Sequence, residues 1–406
     1  MAPVGSFAAL TAAIEAGADS VYFGVQQLNM RARSAANFTL DDLREIADTC
    51  NKAGVRSYLT INTVLYDHDL TLMRAIIDTA KEANVTAIIA QDMAAILYAN
   101  KIGVTVHIST QLSISNYEGV KFYSQFADTI VLAREVDLDS IAAICDRIKK
   151  EELKGPAGEL VKIEIFVHGA LCIAQSGRCQ MSLLQSNTSA QRGACLHECR
   201  KQYEVKDIET GHELRIRDHY IMSPKDLCCL PFLDKLIDSG VAVLKMEGRG
   251  RSPQYVDVIT RVYCEARDAV FADEFTEEKK KEWMEQLSAV YNRGFCDGYY
   301  LGKPLPEWSG YSKNRSTDER VFVGRVTHYF PKAGVAEISV DAEKFAKNDH
   351  LVIMGKTTGV MHVEVEEVRQ DEDKLVTIPI PDRVRLNDKV YLITKRNLDE
   401  GDKNNS

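Results

Sequence analysis

Four cysteines lie close together in the middle of this 406-residue chain. Cys172, Cys179, Cys195 and Cys199 follow the spacing Cys-x6-Cys-x15-Cys-x3-Cys, and His197 stands between the last two. Thiolates are soft, strong ligands for zinc and for iron-sulfur clusters, and four of them complete either kind of site. Zinc sites usually contain a Cys-x2-Cys hairpin, which this segment lacks. The spacing therefore favours a 4Fe-4S cluster over zinc, with buried thiols that hold no metal as the remaining alternative.

The other six cysteines are predicted to be packing residues. Cys228 and Cys229 are predicted to begin a helix, where one of them could replace a cluster ligand, although an adjacent pair on a helix is more typical of a core. Ten cysteines in a reducing compartment indicate buried small side chains, ligands or catalysts more than disulfides. The remaining cysteines, in helical or peripheral segments, are Cys50, Cys145, Cys264 and Cys296.

Basic residues are concentrated around the four cysteines. Because the whole chain carries a net charge of -9, this concentration indicates either an RNA- or phosphate-binding surface or a solvated loop with ion pairs. We predict that Arg178 contributes to substrate binding. The basic residues of the segment are Arg178, Arg192, Arg200, Lys201, Arg215 and Arg217.

A second basic motif, 248–253 (GRGRSP), leads into a predicted helix. The first turn of a helix has free amide groups and a positive dipole end, which together favour an anion. The sequence therefore predicts that Arg249 and Arg251 hold a carboxylate or phosphate of the substrate.

Short β-branched runs alternate with helical segments over the first two thirds of the chain, which is the pattern of a parallel sheet with crossover helices. Eight such units in about 250 residues are typical of a TIM-like (β/α)8 barrel, and an open doubly wound sheet is the alternative. The predicted strands are 2–4, 20–23, 57–61, 86–90, 105–108, 129–133, 163–167 and 241–246.

Helix boundaries are also visible in the sequence. Thr39-x-x-Asp42 is a capping box, and Gly54 is typical of a helix end. The stretch 223–226 (SPKD) predicts another helix start, because serine is a good N-cap and proline is favoured at the first helical position.

Polar side chains follow several predicted strands at the end where barrel enzymes place their chemistry. We predict that His168, Glu247, His107 and Asp92 transfer protons and that Arg134 binds substrate. The alternative for each residue is that it only satisfies loop backbone groups or forms an ion pair.

Composition sets limits on the function. The chain is 45% hydrophobic and 27% charged, as expected for a globular protein. It has neither an apolar run of about 18 residues nor the features of a secretion signal, so we expect a cytoplasmic protein without a membrane segment. An acidic average argues against a general polyanion binder, so any RNA contact would need a local patch.

The chain is predicted to contain two domains. Residues 1–310 form the barrel with a Cys-rich insertion at 169–222, residues 319–396 form a small all-β barrel, and 397–406 are a disordered tail. Small barrels of this kind contact RNA or a partner protein, or they support a neighbouring domain. The strands predicted for the second domain are 321–326, 335–339, 351–354, 360–368, 374–378 and 389–393.

Five stretches of the chain resemble the collagenase-like peptidase U32 family over about three quarters of the length: 2–10 (APVGSFAAL), 16–24 (AGADSVYFG), 168–172 (HGALC), 176–179 (SGRC) and 244–249 (LKMEGR). The resemblance implies oxygen-independent hydroxylation with a 4Fe-4S cluster. Related members convert tRNA wobble uridine to 5-hydroxyuridine with prephenate, hydroxylate a ribosomal RNA cytidine, or act on ubiquinone precursors. The family's cluster thiols correspond to the four cysteines named above.

The residues and the resemblance together predict an RNA base hydroxylase. Its expected substrate is tRNA wobble uridine, with prephenate as the small anionic donor. Ribosomal RNA or a small aromatic precursor is an alternative substrate. A collagenase-like peptidase is the competing class, with Asp92, Glu247 and the histidines as its acid-base set, and a binding scaffold with a structural metal is a third. We also expect a homo-oligomer, or a hetero-oligomer with a related subunit.

Overall fold

The computed structural model describes residues 1–33, 35–213, 222–302, 307–309, 314–372 and 374–396. Arg215, Arg217 and the predicted disordered tail lie outside the described residues. Two sheets organise the described part of the chain, one of ten strands and one of seven.

The first sheet contains all eight strands predicted from the sequence. Strands β1 to β7 pair in chain order and in parallel, β9 pairs in parallel with β7, and β8 is antiparallel to β7. The α/β prediction is therefore confirmed. The strands are β1 (Ala2–Pro3), β2 (Ser20–Phe23), β3 (Arg56–Ile61), β4 (Ala87–Ala90), β5 (Val106–Ile108), β6 (Thr129–Val131), β7 (Lys162–Ala170), β8 (Asp226–Cys228), β9 (Val243–Met246) and β10 (Phe295–Cys296).

The helices lie between these strands and bury apolar faces against them in a single large core. None of the helices in the described ranges is both long and apolar enough to cross a membrane. The helices are α1 (Phe7–Glu15), α2 (Asp42–Lys52), α3 (Leu70–Glu82), α4 (Met93–Lys101), α5 (Tyr117–Tyr123), α6 (Leu138–Lys150), α7 (Met181–Ser186), α8 (Leu233–Asp238), α9 (Pro253–Phe271) and α10 (Glu277–Ala289).

Two hydrogen bonds join the two ends of the parallel strand order, and in one of them the amino group of Met1 donates to the Leu244 carbonyl at 2.8 Å. The amide of Met246, in β9, donates to the carbonyl of Met1 at 3.1 Å, next to β1. Between β9 and β1 the described strands have no paired ladder. A closed barrel therefore stays a prediction.

The capping signals around α2 form as predicted. The Thr39 amide donates to the Asp42 carboxylate at 2.7 Å, and the Asp42 amide donates back to the Thr39 hydroxyl at 3.3 Å. Gly54 follows the end of α2 with φ +70°, a left-handed conformation that glycine adopts at little cost.

The predicted helix start at Ser223 is wrong. Residues Asp226–Cys228 form β8, which pairs with the end of β7, and the following helix begins only at Leu233. Tertiary contacts decide the outcome: the Ser223 carbonyl accepts from the amide of Ser309, and Asp226 pairs with Arg293 at 3.1 Å. These contacts hold the segment extended and override its local helical preference.

The second sheet is antiparallel throughout and has its own apolar core. The strand predicted at 360–368 ends earlier, at Glu364, and the strand at Arg369–Glu372 was not predicted. The strand order is β14-β13-β17-β11-β12-β16-β15. Closure into a small barrel and the exact domain boundaries stay predictions. The strands are β11 (Asp318–Phe330), β12 (Val335–Val340), β13 (His350–Gly355), β14 (Gly359–Glu364), β15 (Arg369–Glu372), β16 (Leu375–Pro379) and β17 (Lys389–Lys395).

Polar contacts join the second sheet to the helices of the first. The Thr11 hydroxyl of α1 donates to the Lys356 carbonyl at 2.8 Å, and Lys356 pairs with Glu45 of α2 at 2.7 Å. On α9, Asp257 lies 3.6 Å from His362 of β14. The second sheet therefore packs against α1, α2 and α9.

Candidate functional site

A cavity of about 250 Å³ lies where the strands of the first sheet end. Its wall comes from the residues that follow β2, β3, β5, β6, β7 and β9, together with the Cys-rich segment after β7. The polar and sulfur-bearing lining residues are Tyr22, Met30, Arg31, Thr60, Asn62, Ser109, Thr110, Gln111, Arg134, Cys172, Ser176, Cys179, Cys195, His197, Cys199, Arg200, Lys245, Glu247, Arg249, Arg251 and Arg293.

All four predicted ligand cysteines line this one cavity. Burial raises the pKa of Cys199 to about 11, and the nearby Cys172, Cys195 and Cys179 raise it further while Arg200 opposes them. The Met181 amide lies 3.5 Å from the Cys179 sulfur, close enough to donate a hydrogen bond. Within the described residues, no three His, Cys, Asp or Glu side chains form a group arranged to hold a metal ion.

Cys228 and Cys229 are buried, and neither belongs to the cavity lining. They lie at the end of β8, and the sulfur of Cys228 is 3.7 Å from the sulfur of Met284. Their surroundings are those of packing residues.

Two arginines fasten the Cys-rich segment to residues that follow the strands. Arg192 forms a two-fold ion pair with Asp69 and donates to the Val64 carbonyl at 2.8 Å. Near β7, Arg200 donates to the Leu171 carbonyl at 2.6 Å. A segment predicted only as a long loop is therefore tied to the turn that follows β3, and its later part is tied back to Leu171, directly after β7.

Glu247 is the centre of a charged cluster in the cavity wall. Its Oε1 accepts from Arg31 Nη2 at 3.0 Å, and its Oε2 accepts from the Tyr22 hydroxyl at 3.3 Å and lies 3.9 Å from Arg134 Nη2. Burial raises the pKa of Glu247, but Arg31, Arg134 and Arg249 outweigh burial and lower the pKa to about 2. Glu247 is therefore an ionised anchor for arginines at neutral pH.

Arg249 is buried in the floor of the cavity. Its Nη1 donates to the Thr60 hydroxyl at 2.9 Å and to Asn29 Oδ1 at 3.1 Å. Burial lowers the pKa of Arg249 to about 10, so the guanidinium stays charged at neutral pH. A β-carbon at Gly24 would collide with this guanidinium and lie 2.8 Å from Asn29 Cγ. The absence of a side chain at Gly24 is therefore a condition for the position of Arg249.

Arg251 and Arg134 have guanidinium N–H groups left to donate hydrogen bonds to a ligand. Arg251 stacks on the Tyr291 ring at 3.5 Å. Arg134 stacks on Phe166 at 3.9 Å and donates to the Ala170 carbonyl at 2.6 Å, but its buried Nε has no hydrogen-bond partner among the described residues. Both guanidinium groups line the cavity and are suited to bind an anion there.

Positive charge exceeds negative charge in the described lining. Six arginines and Lys245 stand against one carboxylate, Glu247. Lys245 and Arg293 are neutralised from behind by Glu164 and Asp226, which leaves five arginines and Glu247. Burial, and then the nearby arginines, lower the pKa of His197 to about 4. Ionised thiols or an anionic ligand would supply the missing negative charge.

Three of the predicted proton-transfer residues lie outside the cavity lining. His168 is buried among Tyr255, Tyr263 and Phe295, and burial lowers its pKa to about 3. His107 faces Glu164 in the interior at 3.4 Å.

The third residue, Asp92, is the N-cap of α4. It accepts from the amides of Ala94 and Leu65, both at 3.0 Å. Arg178, one of the predicted substrate-binding residues, is exposed and also lies outside the lining.

Several lining residues were missed in the sequence. Arg31 follows β2 in a long loop, and that loop was a usable sign because barrel chemistry collects after strands. Lys245 lies within a strand, and Arg293 lies beyond the predicted barrel strands. Lys245 was marked only by its place in the stretch 244–249 that carries the resemblance, and nothing in the local sequence of Arg293 distinguishes it from a surface cation.

Comparison with known proteins places these features in a family. The model of peptidase family U32 matches residues 5–310. A protein of Porphyromonas gingivalis named collagenase is 50% identical over 98% of each chain. The tRNA hydroxylation protein P1 of Bacillus subtilis is 32% identical over 81% of this chain and 77% of its own.

A third relative acts on ribosomal RNA by its name. The 23S rRNA 5-hydroxycytidine C2501 synthase of Escherichia coli is 36% identical over 67% of this chain and 40% of its own. The match of the family model, together with relatives at this level of identity over most of the chain, confirms the resemblance seen in the sequence. The chain belongs to peptidase family U32, a family of enzymes.

Proposed function

We propose that this protein hydroxylates an RNA base, with tRNA wobble uridine as the first expected substrate and a 4Fe-4S cluster as its cofactor. Relatives named for tRNA hydroxylation and for ribosomal hydroxycytidine synthesis support RNA hydroxylation in general. The observation that carries the proposal is that all four cysteines of the Cys-rich segment line one cavity together with a surplus of arginines.

The residues present fit such a cluster. Each thiolate of a 4Fe-4S cluster binds a different iron, so Cys172, Cys179, Cys195 and Cys199 need to surround a common space and not a single point. The arginines of the lining would stabilise the negative charge of the thiolates. When bound, the cluster would supply redox chemistry to the site.

The chain's own residues have separate roles in this proposal. Arg251 and Arg134 would bind the carboxylates of an anionic donor such as prephenate. Glu247 would hold Arg31 and Arg134 in place, because its carboxylate is shared between them. The Cys-rich segment would keep bulk water from the cavity.

The proposal extends to the surroundings of the site. We infer that the first sheet closes into a barrel, supported by the hydrogen bond between Met246 and Met1, and that residues 319–396 form a separate small barrel. The expected partners are tRNA, the anionic donor and a second copy or a related subunit. The expected location is the cytoplasm.

A peptidase is the second candidate, favoured by the identity to the protein named collagenase. Peptide hydrolysis by side chains alone needs a nucleophile beside a base, or a base that activates water. Glu247 supplies the carboxylate of the described lining, and its low pKa and its arginine partners make it a weak base. The cavity therefore gives the peptidase less support than the hydroxylase.

Replacement of one thiol tests the proposal. The protein is purified without oxygen, and its iron and sulfide content is measured beside its ability to restore hydroxyuridine in tRNA from a deletion strain. Cys179→Ser is expected to lose both the iron and the modification. Cys264→Ser is the matched control, because Cys264 is half-buried on α9 and bonds to the Gly17 carbonyl away from the cavity.

The outcomes separate the candidates. Iron-free wild-type protein, or a Cys179→Ser variant that still hydroxylates tRNA, would contradict the hydroxylase. A variant with all four cysteines replaced that still digests gelatin would support the peptidase.

A further inference from the structure

An exposed aromatic ring stands on the loop that follows β3. Tyr66 is 55% exposed, although it is a large aromatic residue. Its amide donates to the Asp69 carboxylate at 2.8 Å, which fixes the backbone of the turn. The ring is therefore presented to the outside by a backbone that is held in place.

A cation supports this ring from the Cys-rich segment. The Arg192 guanidinium lies 4.7 Å from the centre of the Tyr66 ring. The same guanidinium is fixed by its two-fold ion pair with Asp69 and by its bond to the Val64 carbonyl. Because Asp69 neutralises this charge, Arg192 acts here as a flat surface beneath the ring more than as a free cation.

Both chain segments that form this supported ring also line the cavity a few residues earlier. Asn62 lines the cavity and lies four residues before Tyr66, and Ala190 lines it two residues before Arg192. The ring of His68, largely exposed, lies 5.7 Å from the Tyr66 ring on the same turn. Apart from Asp67, which is also exposed, the turn carries no unpaired carboxylate in the described structure.

We propose that Tyr66, supported by Arg192, is a stacking surface for a nucleobase of single-stranded RNA next to the base that enters the cavity. This inference rests on the proposed RNA substrate and adds a residue that positions it. Aromatic rings held with one face open bind bases through stacking with little dependence on sequence, because every base has a π-face. Arg192 lowers the entropic cost of binding by holding the ring in one orientation.

The test measures RNA binding and turnover separately, on the full-length protein. The probe is an RNA stem-loop that carries 2-aminopurine in its single-stranded loop, because the fluorescence of this base falls when it stacks on an aromatic ring. Tyr66→Ala is expected to weaken binding about tenfold, in line with the loss of one stacked base, and to abolish the fluorescence change. The iron content and the turnover rate at saturating RNA are expected to stay unchanged.

Two further variants keep the test specific. Tyr66→Phe keeps the ring and is expected to bind RNA like the wild type. Phe122→Ala removes a ring of similar exposure, 54%, on α5, and is expected to leave RNA binding unchanged.

Each outcome has one meaning. Wild-type protein that binds no RNA would overturn both the proposed function and the stacking surface. Equal RNA affinity of the wild type and of Tyr66→Ala would overturn the stacking surface but not the proposed function. Loss of binding in Tyr66→Phe equal to that in Tyr66→Ala would also overturn it, because the hydroxyl and not the ring would then be responsible. If Tyr66→Ala bound gelatin more weakly than the wild type does but bound RNA equally well, the ring would be a binding surface for a peptide.

Discussion

Two groups of buried charges lie within the first sheet, and they differ in their balance. In the interior, Glu164 accepts from Lys245 at 2.6 Å and lies 3.4 Å from His107. In the cavity wall, Glu247 faces several arginines and compensates only part of their charge. The interior group is closed, because each charge has a partner. The cavity group is open and needs negative charge from a ligand or from ionised thiols.

The comparison teaches how to separate structural charges from functional ones. A buried ion pair that is fully matched is sensitive to the loss of one partner but offers nothing to a substrate. A buried surplus of one sign costs free energy and marks a candidate functional site. Changes in the interior group should therefore alter stability, and changes in the cavity group should alter binding.

The largest effect is expected from Glu164→Gln. Lys245 would be left as an unpaired buried cation, which costs about 3–5 kcal/mol of unfolding free energy. Urea unfolding measures this loss. A double variant, Glu164→Leu with Lys245→Met, is expected to recover most of it because no charge stays buried. A single variant as stable as the wild type would show that the interior group is not closed.

The pH dependence sharpens the same prediction. Burial raises the pKa of Glu164, but Lys245 and His107 outweigh burial and lower it from 4.5 to about 2. The folded state therefore gains stability from ionised Glu164 above pH 4.5 and loses it as the pH falls from 4.5 towards 2. Glu164→Gln should lack this contribution in an acid titration of stability.

Gly24→Ala is expected to have the next largest effect and to act on the cavity group. The added β-carbon would displace the guanidinium of Arg249 and crowd Asn29, at a cost of about 1–3 kcal/mol for overpacking. Hydroxylation activity should fall more than the unfolding midpoint does. Gly119→Ala is the control: it lies in α5, and its added β-carbon would lie 3.2 Å from the Ile114 side chain and 3.6 Å from Asn116 Oδ1, so activity should be retained. Equal activity in both variants would argue against a role for Arg249.

Arg251→Ala should have a moderate effect confined to binding. Loss of one charge-assisted contact to an anionic donor is expected to raise the KM for the donor about tenfold. The unfolding free energy and the iron content should change little. Arg178→Ala is the matched control, since Arg178 is exposed and outside the cavity lining. A KM raised by Arg178→Ala and not by Arg251→Ala would reverse the assignment of the binding surface.

The smallest effect is expected from His168→Phe. Burial lowers the pKa of His168 from 6.5 to about 3, so the ring is neutral at pH 7. Its replacement by a phenyl ring should therefore reduce the free energy of unfolding by about 1 kcal/mol or less. Between pH 6.5 and 3 the unfolded state binds the extra proton, so the wild type loses stability as the pH falls and the variant should lose less. Retained hydroxylation by His168→Phe would separate His168 from the catalytic groups, and its loss would place His168 among them.

Much of the architecture was predictable from local patterns. The eight predicted strands of the ten-stranded first sheet and the α2 capping box depend on periodicity and on short-range hydrogen bonds, which the sequence displays directly. The helix predicted at Ser223 failed because the pairing of β8 with β7 joins residues about 60 positions apart, and no local pattern encodes such a contact.

The site divides in the same way. The identity of the four cysteines and of Arg249, Arg251, Arg134 and Glu247 as cavity residues followed from chemistry and from their places after strands. His107, His168 and Asp92 follow strands as well, but the fold uses them in an ion-paired network, an aromatic core and a helix cap. Residue type and position therefore predicted the class of side chain at the strand ends, but not which side chains face the cavity.

The sequence by itself determined the family, the alternation of strands and helices, and the supply of thiols and arginines after the strands, because these depend on residue type and spacing. Only the tertiary structure decided which charges are matched and which are in surplus. Whether buried charges are matched depends on distances between residues far apart in the chain, such as Glu247 with Arg31 and Glu164 with Lys245. Electrostatic energy falls with distance in space and not along the sequence, so the cavity's excess of positive charge became visible only in the folded chain.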